Sequence, residues 1–284
     1  MRKNIKKIHK AIYKPISDLE THSPLPSPEL KQVDPFIFLN HHGPQVYPAS
    51  NNGLPFGPHP HRGMETVTII VEGDIMHKDS VGHVSVIEAG GVQWMTAGKG
   101  LIHAEVSSDT FKSAGGALEI LQLWLNLPAK YKMVEPFYKG LQKDEIPSIE
   151  IKDGVKLQLI SGEWEGRQGA FSSITEVYLY VLDLYADKEV TFTINTDRNV
   201  FFYVIAGHLS VNGSDTEAFH LVEFDNDHTE IHIKSYANTK ILFGHAQPIN
   251  EPLVAQGPFV MNTTQEIEQA YADYKNGYFG TWKH

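Results

Sequence analysis

Glycine and proline interrupt this chain so often that few of its segments are long enough to form a helix. The 284 residues include 23 glycines and 16 prolines. Most segments between these breaks are rich in β-branched and aromatic residues, which fit a pleated sheet. The segments are Val67–Val71, Val84–Ile87, Leu118–Leu125, Leu157–Ile160, Tyr178–Leu182, Val190–Ile194, Val200–Ile205, His220–Phe224, Ile231–Ile233 and Ile241–Phe243. Many short strands separated by turns predict an all-β fold, a sandwich or barrel of mostly antiparallel strands.

One helix is predicted, close to the C-terminus. Thr263-Thr-Gln-Glu266 has the spacing of a capping box, and Gly277 is a natural stop. The apolar side chains of one helical face lie between them, at Ile267, Ala270, Tyr271 and Tyr274. This single apolar stripe predicts that the helix lies against a sheet.

The chain divides into two similar halves. Residues 126–154 combine three prolines, two glycines and many charges, which indicates a domain boundary. Val67–Gly73 can be laid on Phe201–Gly207, and Leu101–His103 on Ile241–Phe243, which suggests a diverged tandem repeat with offsets of 134 and 140. We therefore predict two β-barrels, over residues 1–137 and 146–250, and a tail that carries the helix, over residues 251–284.

Composition excludes several classes of site and partner. The chain has no cysteine, which rules out disulfides, thiolate metal sites, cysteine nucleophiles and iron–sulfur clusters. A net charge of −10 argues against binding the phosphate backbone of nucleic acids. No apolar run is long enough to span a membrane, and no secretory signal follows the N-terminus, so we expect a cytoplasmic protein.

The first ten residues carry five basic side chains and no acidic one. Two interpretations of this segment remain open. It is either a solvated strand or arm, or it contacts the acidic remainder of the chain.

Two short patterns stand apart among the 15 histidines. His59-Pro60-His61 and His103-Ala104-Glu105 each place two ligand residues at positions i and i+2, which share one face of a strand. Together they offer three imidazoles and one carboxylate, a set that suits Fe, Ni, Cu, Mn or Zn. On an octahedral divalent ion this set leaves net positive charge and two open positions, which indicates a catalytic rather than a structural site.

The flanks of both pairs carry a family resemblance. Gly53–Glu65 resembles the first cupin motif, and Gly100–His103 resembles the second. Longer segments closely resemble the pirin family, namely His59–Thr66, Gln93–Glu105, Leu125–Met133 and Gly257–Asn262. The resemblance covers nearly the whole chain and implies a bicupin, two tandem jelly-roll-like barrels. It implies one divalent metal, Fe(II) or else Ni, Cu, Mn, Co or Zn, held in the N-terminal barrel by His59, His61, His103 and Glu105.

The same resemblance implies a reaction. Pirins are similar to flavonol (quercetin) 2,3-dioxygenases, which open the central ring with O2 and release carbon monoxide. Glu105 would be the general base for the flavonol hydroxyl. The motif chemistry without the resemblance reaches only a metal-dependent dioxygenase or a metal-binding cupin. Two alternatives stay open, a non-enzymatic iron-binding redox regulator that acts through protein partners, and a promiscuous cupin with incidental flavonol turnover.

Glu65 is the competing carboxylate. It lies an even number of residues after His59 and His61, so an uninterrupted strand would place all three on one face. General cupins use a glutamate at this place, whereas pirins are similar to one another in using the glutamate of the second pair, here Glu105. We therefore predict Glu105 as the ligand and Glu65 as a residue behind the ligands.

The second barrel and the remaining candidates are interpreted as structural. By the two offsets, the four ligand positions fall on residues that cannot form a metal site, Thr193, Asn195, Phe243 and His245. Trp94 is predicted in the core and Phe56 at the mouth of the site. The other histidines, including His41 and His42, are interpreted as ordinary loop or strand residues.

Overall fold

The structure is a computed structural model that describes residues 1–283. Its first half contains β1 (Ile5–Lys10), β2 (Ile12–Tyr13), β3 (Thr21–Leu25), β4 (Phe36–Tyr47), β5 (Phe56–His61), β6 (Met64–Glu72), β7 (Asp74–Asp79), β8 (Val84–Glu88), β9 (Val92–Thr96), β10 (Leu101–Val106), α1 (Asp109–Ala114), β11 (Gly116–Asn126) and β12 (Phe137–Leu141). The second half contains β13 (Ser148–Lys152), β14 (Val155–Ser161), β15 (Glu163–Trp164), β16 (Arg167–Gln168), β17 (Tyr178–Leu184), β18 (Glu189–Thr193), β19 (Asn199–Ala206), β20 (His208–Val211), β21 (Ser214–Glu217), β22 (His220–Phe224), β23 (Glu230–Ser235), β24 (Thr239–Ala246), β25 (Val254–Gln256), β26 (Phe259–Met261) and α2 (Thr264–Lys275).

Two compact units make up the chain. The N-terminal unit consists of Tyr13–His22, Ile37–Asp144 and Ile249–His284. The C-terminal unit consists of Met1–Ile12, Ser23–Phe36 and Glu145–Pro248. The sequence analysis predicts continuous domains over residues 1–137 and 146–250 and a tail over residues 251–284. These domain bounds stay a prediction.

Each unit combines a large sheet with a small one. In the N-terminal unit the large sheet contains the order β12-β9-β6-β11-β4, and the small sheet has the order β5-β10-β7-β8. In the C-terminal unit the orders are β1-β22-β19-β24-β17-β14-β13 and β18-β23-β20-β21. The spatial order of β5 to β11 therefore recurs in β18 to β24. This confirms the all-β class and makes β18 the counterpart of β5 and β23 the counterpart of β10.

This correspondence confirms one part of the predicted repeat alignment and corrects the rest. Val67–Gly73 and Phe201–Gly207 do match, because they occupy β6 and β19 with their following turns. Leu101–His103 lies in β10, whose counterpart is β23, whereas Ile241–Phe243 lies in β24. The second offset was wrong because it aligned β10 with the strand that follows its counterpart.

The first offset is wrong by one residue on the strand before β6. It placed His59 and His61 on Thr193 and Asn195, whereas the strand ladders place Phe192 and Ile194 at these positions. The connection between β18 and β19 is longer than the one between β5 and β6, so the offset of 134 does not extend across it.

The C-terminal helix follows its prediction. The Thr263 hydroxyl accepts a hydrogen bond from the Glu266 amide, and the Glu266 carboxylate accepts one from the Thr263 amide, so the capping box is formed. Ile267 and Ala270 are buried against Phe259 and its neighbours on β26. No helix among residues 1–283 is long and apolar enough to cross a membrane.

The basic N-terminal segment is a strand of the C-terminal unit. β1 pairs antiparallel with β22 at the edge of the large sheet. Lys6 and His9 both contact Glu223, with distances of 2.7 and 2.8 Å to its carboxylate oxygens, and Lys7 lies 2.8 Å from Glu29. The segment is therefore a strand, and it makes the contact with acidic residues of the same chain that the sequence left as an open interpretation.

Candidate metal centre

Three of the predicted ligands come together where β5 and β10 pair. In this antiparallel ladder His103 lies opposite His59, and Leu101 lies opposite His61. The ring centroids of the three histidines are 4.4 to 4.9 Å apart. One ligand atom from each ring lies within 4.8 Å of the others. The two sequence-distant pairs thus form a histidine triangle, His59, His61 and His103.

Backbone carbonyls orient two of these rings. Nδ1 of His59 lies 2.7 Å from the Gly57 carbonyl oxygen, and Nδ1 of His61 lies 3.2 Å from that of Pro258. Because a carbonyl only accepts, each Nδ1 carries the proton and each Nε2 keeps its lone pair. This arrangement is typical of metal-binding histidines, whose second nitrogen donates to a carbonyl or carboxylate.

His103 provides the test of whether the triangle fits a metal. Its side chain is fully buried, and neither ring nitrogen has a hydrogen-bond partner among the described residues. A buried polar group without a partner costs about 1–3 kcal/mol. A cation bound by His59, His61 and His103 would satisfy one of these nitrogens, so the residues fit a metal.

Burial keeps the imidazoles of His61 and His103 neutral, which is the protonation state that binds a metal. It lowers the pKa of His61 to about 3, with a further contribution from the neighbouring His59. Burial also lowers the pKa of His103 well below its usual value, and the nearby histidines act in the same direction. Both rings are therefore neutral at neutral pH, and a neutral imidazole binds a metal without first losing a proton.

Glu105 borders the same cavity but belongs to a polar network. Its carboxylate accepts hydrogen bonds from the Thr68 hydroxyl at 2.7 Å, from the Gln122 amide at 2.5 Å and from the Gln93 amide. The carboxylate is not among the groups whose ligand atoms lie within 4.8 Å of one another. The structure thus brings together three predicted ligands, while Glu105 as the fourth ligand stays a prediction.

The parity prediction for Glu65 is wrong. The chain bends at Gly63, which has a φ of +78° and whose hypothetical Cβ would lie 2.1 Å from the Val260 carbonyl oxygen. Only glycine is free of both problems, so β5 ends before β6 begins and parity does not carry across. On β6 Thr68 reaches Glu105, whereas Glu65 has the opposite parity and accepts a hydrogen bond from Thr96 at 2.8 Å.

Burial raises the pKa of Glu65 to about 7, against the effect of hydrogen bonds from Thr96 and Trp94. Trp94 is buried as expected, with 3% of its surface exposed. Glu65 therefore belongs to the packing on the far face of the sheet. It does not line the cavity at the histidine triangle.

A cavity of about 190 Å³ adjoins the histidine triangle. Two members of the triangle, His59 and His61, contribute to its wall together with Glu105. Its other lining residues are mainly apolar, namely Ile16, Phe38, Asn40, His42, Leu54, Phe56, Thr68, Ile75, Ile120, Gln122 and Trp124. Phe56 lines the cavity as predicted. The centre thus combines a metal-ligand set with a small apolar space for a ligand.

The sequence interpretation missed the β4 wall of this cavity. Phe38, Asn40 and His42 alternate along β4 and all line the cavity, although His42 had been interpreted as an ordinary residue. The missed signal is their period of two, which marks one face of a strand.

Two family models match the chain. The Pirin family matches residues 18–125, and the Pirin C-terminal cupin domain matches residues 179–280. The first matched region contains the histidine triangle, and the second contains β18 to β24 of the C-terminal unit.

Individual proteins extend the similarity to nearly the whole chain. Human pirin is 35% identical over 275 residues, covering 90% of this chain and 88% of the human protein. A crystal structure of quercetin 2,3-dioxygenase from Acinetobacter baumannii has a TM-score of 0.92 and 32% identity, with 99% of both chains covered. The Escherichia coli bacterial pirin YhhW in complex with nickel(II) has a TM-score of 0.68 and 23% identity over 85% of this chain and 99% of that one, a likeness of fold.

Proposed function

The chain belongs to the pirin family, and from this premise we propose that it is a metal-dependent dioxygenase acting on a flavonol such as quercetin. In this reaction both atoms of O2 enter the ring-opened ester, and the carbon that bears the 3-hydroxyl group leaves with its oxygen as carbon monoxide. The observation that carries the proposal is the histidine triangle at the wall of the cavity. The similarity to the Acinetobacter dioxygenase along the whole chain supports the flavonol as substrate.

Four side chains would hold the metal, which we propose to be Fe(II). They are the histidine triangle and Glu105, which lies two residues from His103 on β10 and lines the same cavity. The metal supplies a Lewis acid that makes an enol or phenol hydroxyl more acidic and allows dioxygen chemistry. The nitrogen and oxygen donors suit several divalent ions, so availability contributes to the choice of metal.

The protein's own residues would bind the flavonol and move one proton. Glu105 takes the hydroxyl proton, and the amides of Gln93 and Gln122 fix the orientation of its carboxylate. Phe38 and Trp124, whose rings stack with centroids 4.3 Å apart, provide a flat apolar wall that excludes water. Proton abstraction from a planar enol requires a base in a fixed orientation, here Glu105, and an apolar wall that excludes water, here Phe38 and Trp124.

Flavonol turnover tests the proposal directly. Protein loaded with ferrous iron should consume quercetin in air, with loss of flavonol absorbance and release of carbon monoxide, and His61→Ala should abolish both. No turnover with any of several metals, together with a protein partner whose capture depends on the oxidation state of the iron, would favour the redox regulator instead.

We propose that the reaction takes place in the cytoplasm.

Metal content tests the choice of carboxylate. Glu105→Ala should lose most of the bound metal, because it removes one of four ligands, whereas Glu65→Ala should retain it, because Glu65 lies on the other face of the sheet. Elemental analysis of both purified variants measures the difference. Equal metal content in the two variants would remove Glu105 from the ligand set.

A further inference from the structure

The β4 wall carries a histidine outside the histidine triangle. His42 is 98% buried, lines the cavity and packs against Phe56, with ring centroids 5.1 Å apart. The mechanism proposed above assigns it no role. A buried imidazole at the wall of a small ligand cavity is positioned to contact whatever binds there.

The Thr21 hydroxyl is the hydrogen-bond partner of His42 Nδ1 and bears on which ring nitrogen carries the proton. Nδ1 lies 2.9 Å from the Thr21 hydroxyl oxygen, which itself lies 3.2 Å from the Leu19 carbonyl oxygen. An arrangement in which the Thr21 hydroxyl donates its one proton to this carbonyl leaves its oxygen to accept from Nδ1–H of His42. Nε2 then keeps its lone pair, and the described residues give this atom no hydrogen-bond donor. Burial lowers the pKa of His42 to about 3, so the ring stays neutral and remains an acceptor at neutral pH.

Cavity size limits what can approach this acceptor. Pockets that enclose drug-sized ligands measure about 300–1,000 Å³. The cavity here measures about 190 Å³, which leaves room for one end of a flavonol rather than for the whole molecule. That end would lie among apolar side chains, where a hydroxyl without an acceptor is costly.

We propose that Nε2 of His42 accepts a hydrogen bond from a hydroxyl group of the substrate, and that His42 thereby selects hydroxylated aromatic ligands over their unhydroxylated analogues. The inference rests on the proposed function in taking this cavity as the substrate site. A site built to hydrogen-bond a hydroxyl discriminates strongly against an analogue that lacks it, because its own polar group is then left unpaired. His42 is in this sense a specificity residue that touches the ligand.

Binding to the metal-free protein tests this role without any turnover. Quercetin and flavone, which shares its ring system but carries no hydroxyl, are titrated separately against the wild type and His42→Phe by calorimetry. We expect His42→Phe to weaken quercetin binding about 10-fold, the loss of one well-made hydrogen bond, and to leave flavone binding unchanged. Equal changes for the two ligands, or no change for either, would overturn the proposal.

Two further variants keep the test decisive. His42→Gln offers an amide oxygen at the same wall and should recover part of the preference for quercetin. Thr21→Val leaves the cavity lining intact but removes the group that fixes the His42 tautomer, so it should reduce the preference by about 3-fold, a smaller effect than loss of the acceptor. If His42→Phe does not fold, as judged by circular dichroism, an unchanged quercetin-to-flavone ratio in both of these variants overturns the proposal. Because no metal or O2 is present, failure of quercetin turnover and failure of this selectivity are separate results.

Discussion

The two units of this chain share one strand order, but the interior of the N-terminal unit is polar where that of the C-terminal unit is apolar. Counting along the matched ladders from Gly73 and Gly207, each residue of the N-terminal centre has a counterpart on β18 or β23. The positions of His59, His61, His103 and Glu105 are taken by Phe192, Ile194, Ile231 and Ile233. All four of these apolar side chains are buried in one hydrophobic cluster.

The difference extends to the polar network around Glu105. Thr68, Gln93 and Gln122 are adjacent on β6, β9 and β11, and their counterparts are Phe202, Val222 and Phe243. These also belong to the hydrophobic cluster of the C-terminal unit. Buried polar groups are tolerated only as complete, satisfied sets, because each unpaired member costs about 1–3 kcal/mol. The comparison therefore teaches that the candidate ligands and the polar network are both present in one unit and both replaced by apolar side chains in the other.

Replacing His103 by isoleucine, the residue type of its counterpart Ile231, tests the comparison at the metal centre. His103→Ile should lower metal affinity at least ~100-fold, because it removes one of the three imidazoles of the triangle. The metal-free variant should also be more stable, by about 1–3 kcal/mol, because an unpartnered buried imidazole is gone. Elemental analysis and urea unfolding of metal-free protein measure the two effects. Retained metal, or lower stability without metal, would contradict the role assigned to His103.

The reverse exchange should damage the C-terminal unit. Ile231→His places an imidazole among Phe192 and Ile194, which offer it neither a hydrogen bond nor a second ligand. We expect the free energy of unfolding to fall by about 2–4 kcal/mol with no gain of bound metal. Ile151→His, at a partly buried position of the same cluster, is the control and should cost less. Equal costs at the two positions would show that the cluster is not a closely packed core.

The network around Glu105 should have a smaller effect on the metal than the ligands have. Gln122→Leu removes the amide that donates to the Glu105 carboxylate and approximates the apolar counterpart, Phe243. Metal affinity should fall about 10–100-fold, as is usual when a group that orients a ligand is lost. Gln168→Leu, an exposed position in the C-terminal unit, should leave it unchanged. Competition with a chelator measures both, and equal affinities would show that the network does not support the metal.

His245 extends the comparison to the pH dependence of stability. The C-terminal unit buries this imidazole, but His245 is not part of a candidate metal site. Burial lowers its pKa to about 3, and the charge of Arg198, whose Nε donates to Nδ1 at 2.7 Å, adds to the effect. Below pH ~6.5 the unfolded chain binds a proton that the folded chain does not. His245 should therefore reduce stability by up to ~1.4 kcal/mol for each pH unit between about 6.5 and 3.

His245→Gln should remove this contribution and make stability less dependent on pH over that range. Urea unfolding of the wild type and the variant at pH 6.5, 5.5 and 4.5 measures the difference in slope. Parallel pH profiles for the two proteins would show that His245 is not kept neutral by its surroundings.

Local patterns let the sequence determine much of this protein. Strand composition, the capping box at Thr263 and the i, i+2 spacing of His59 and His61 depend only on neighbouring residues, and the corresponding strands, helix and paired ligands are all present. The similarity of flanking motifs also indicated the family. Each of these signals survives in the sequence because the physical cause spans only a few residues.

Tertiary structure decided the features that depend on which strands become neighbours. The bend at Gly63 turns Glu65 away from the centre, and the position of β4 brings His42 to the cavity wall. The strand order and the pairing of β18 with β23 decide that Ile231, rather than Phe243, is the counterpart of His103. Strand register and backbone bends set the direction of every later side chain, and a one-residue shift reverses the face, so parity in the sequence cannot be extended across a turn.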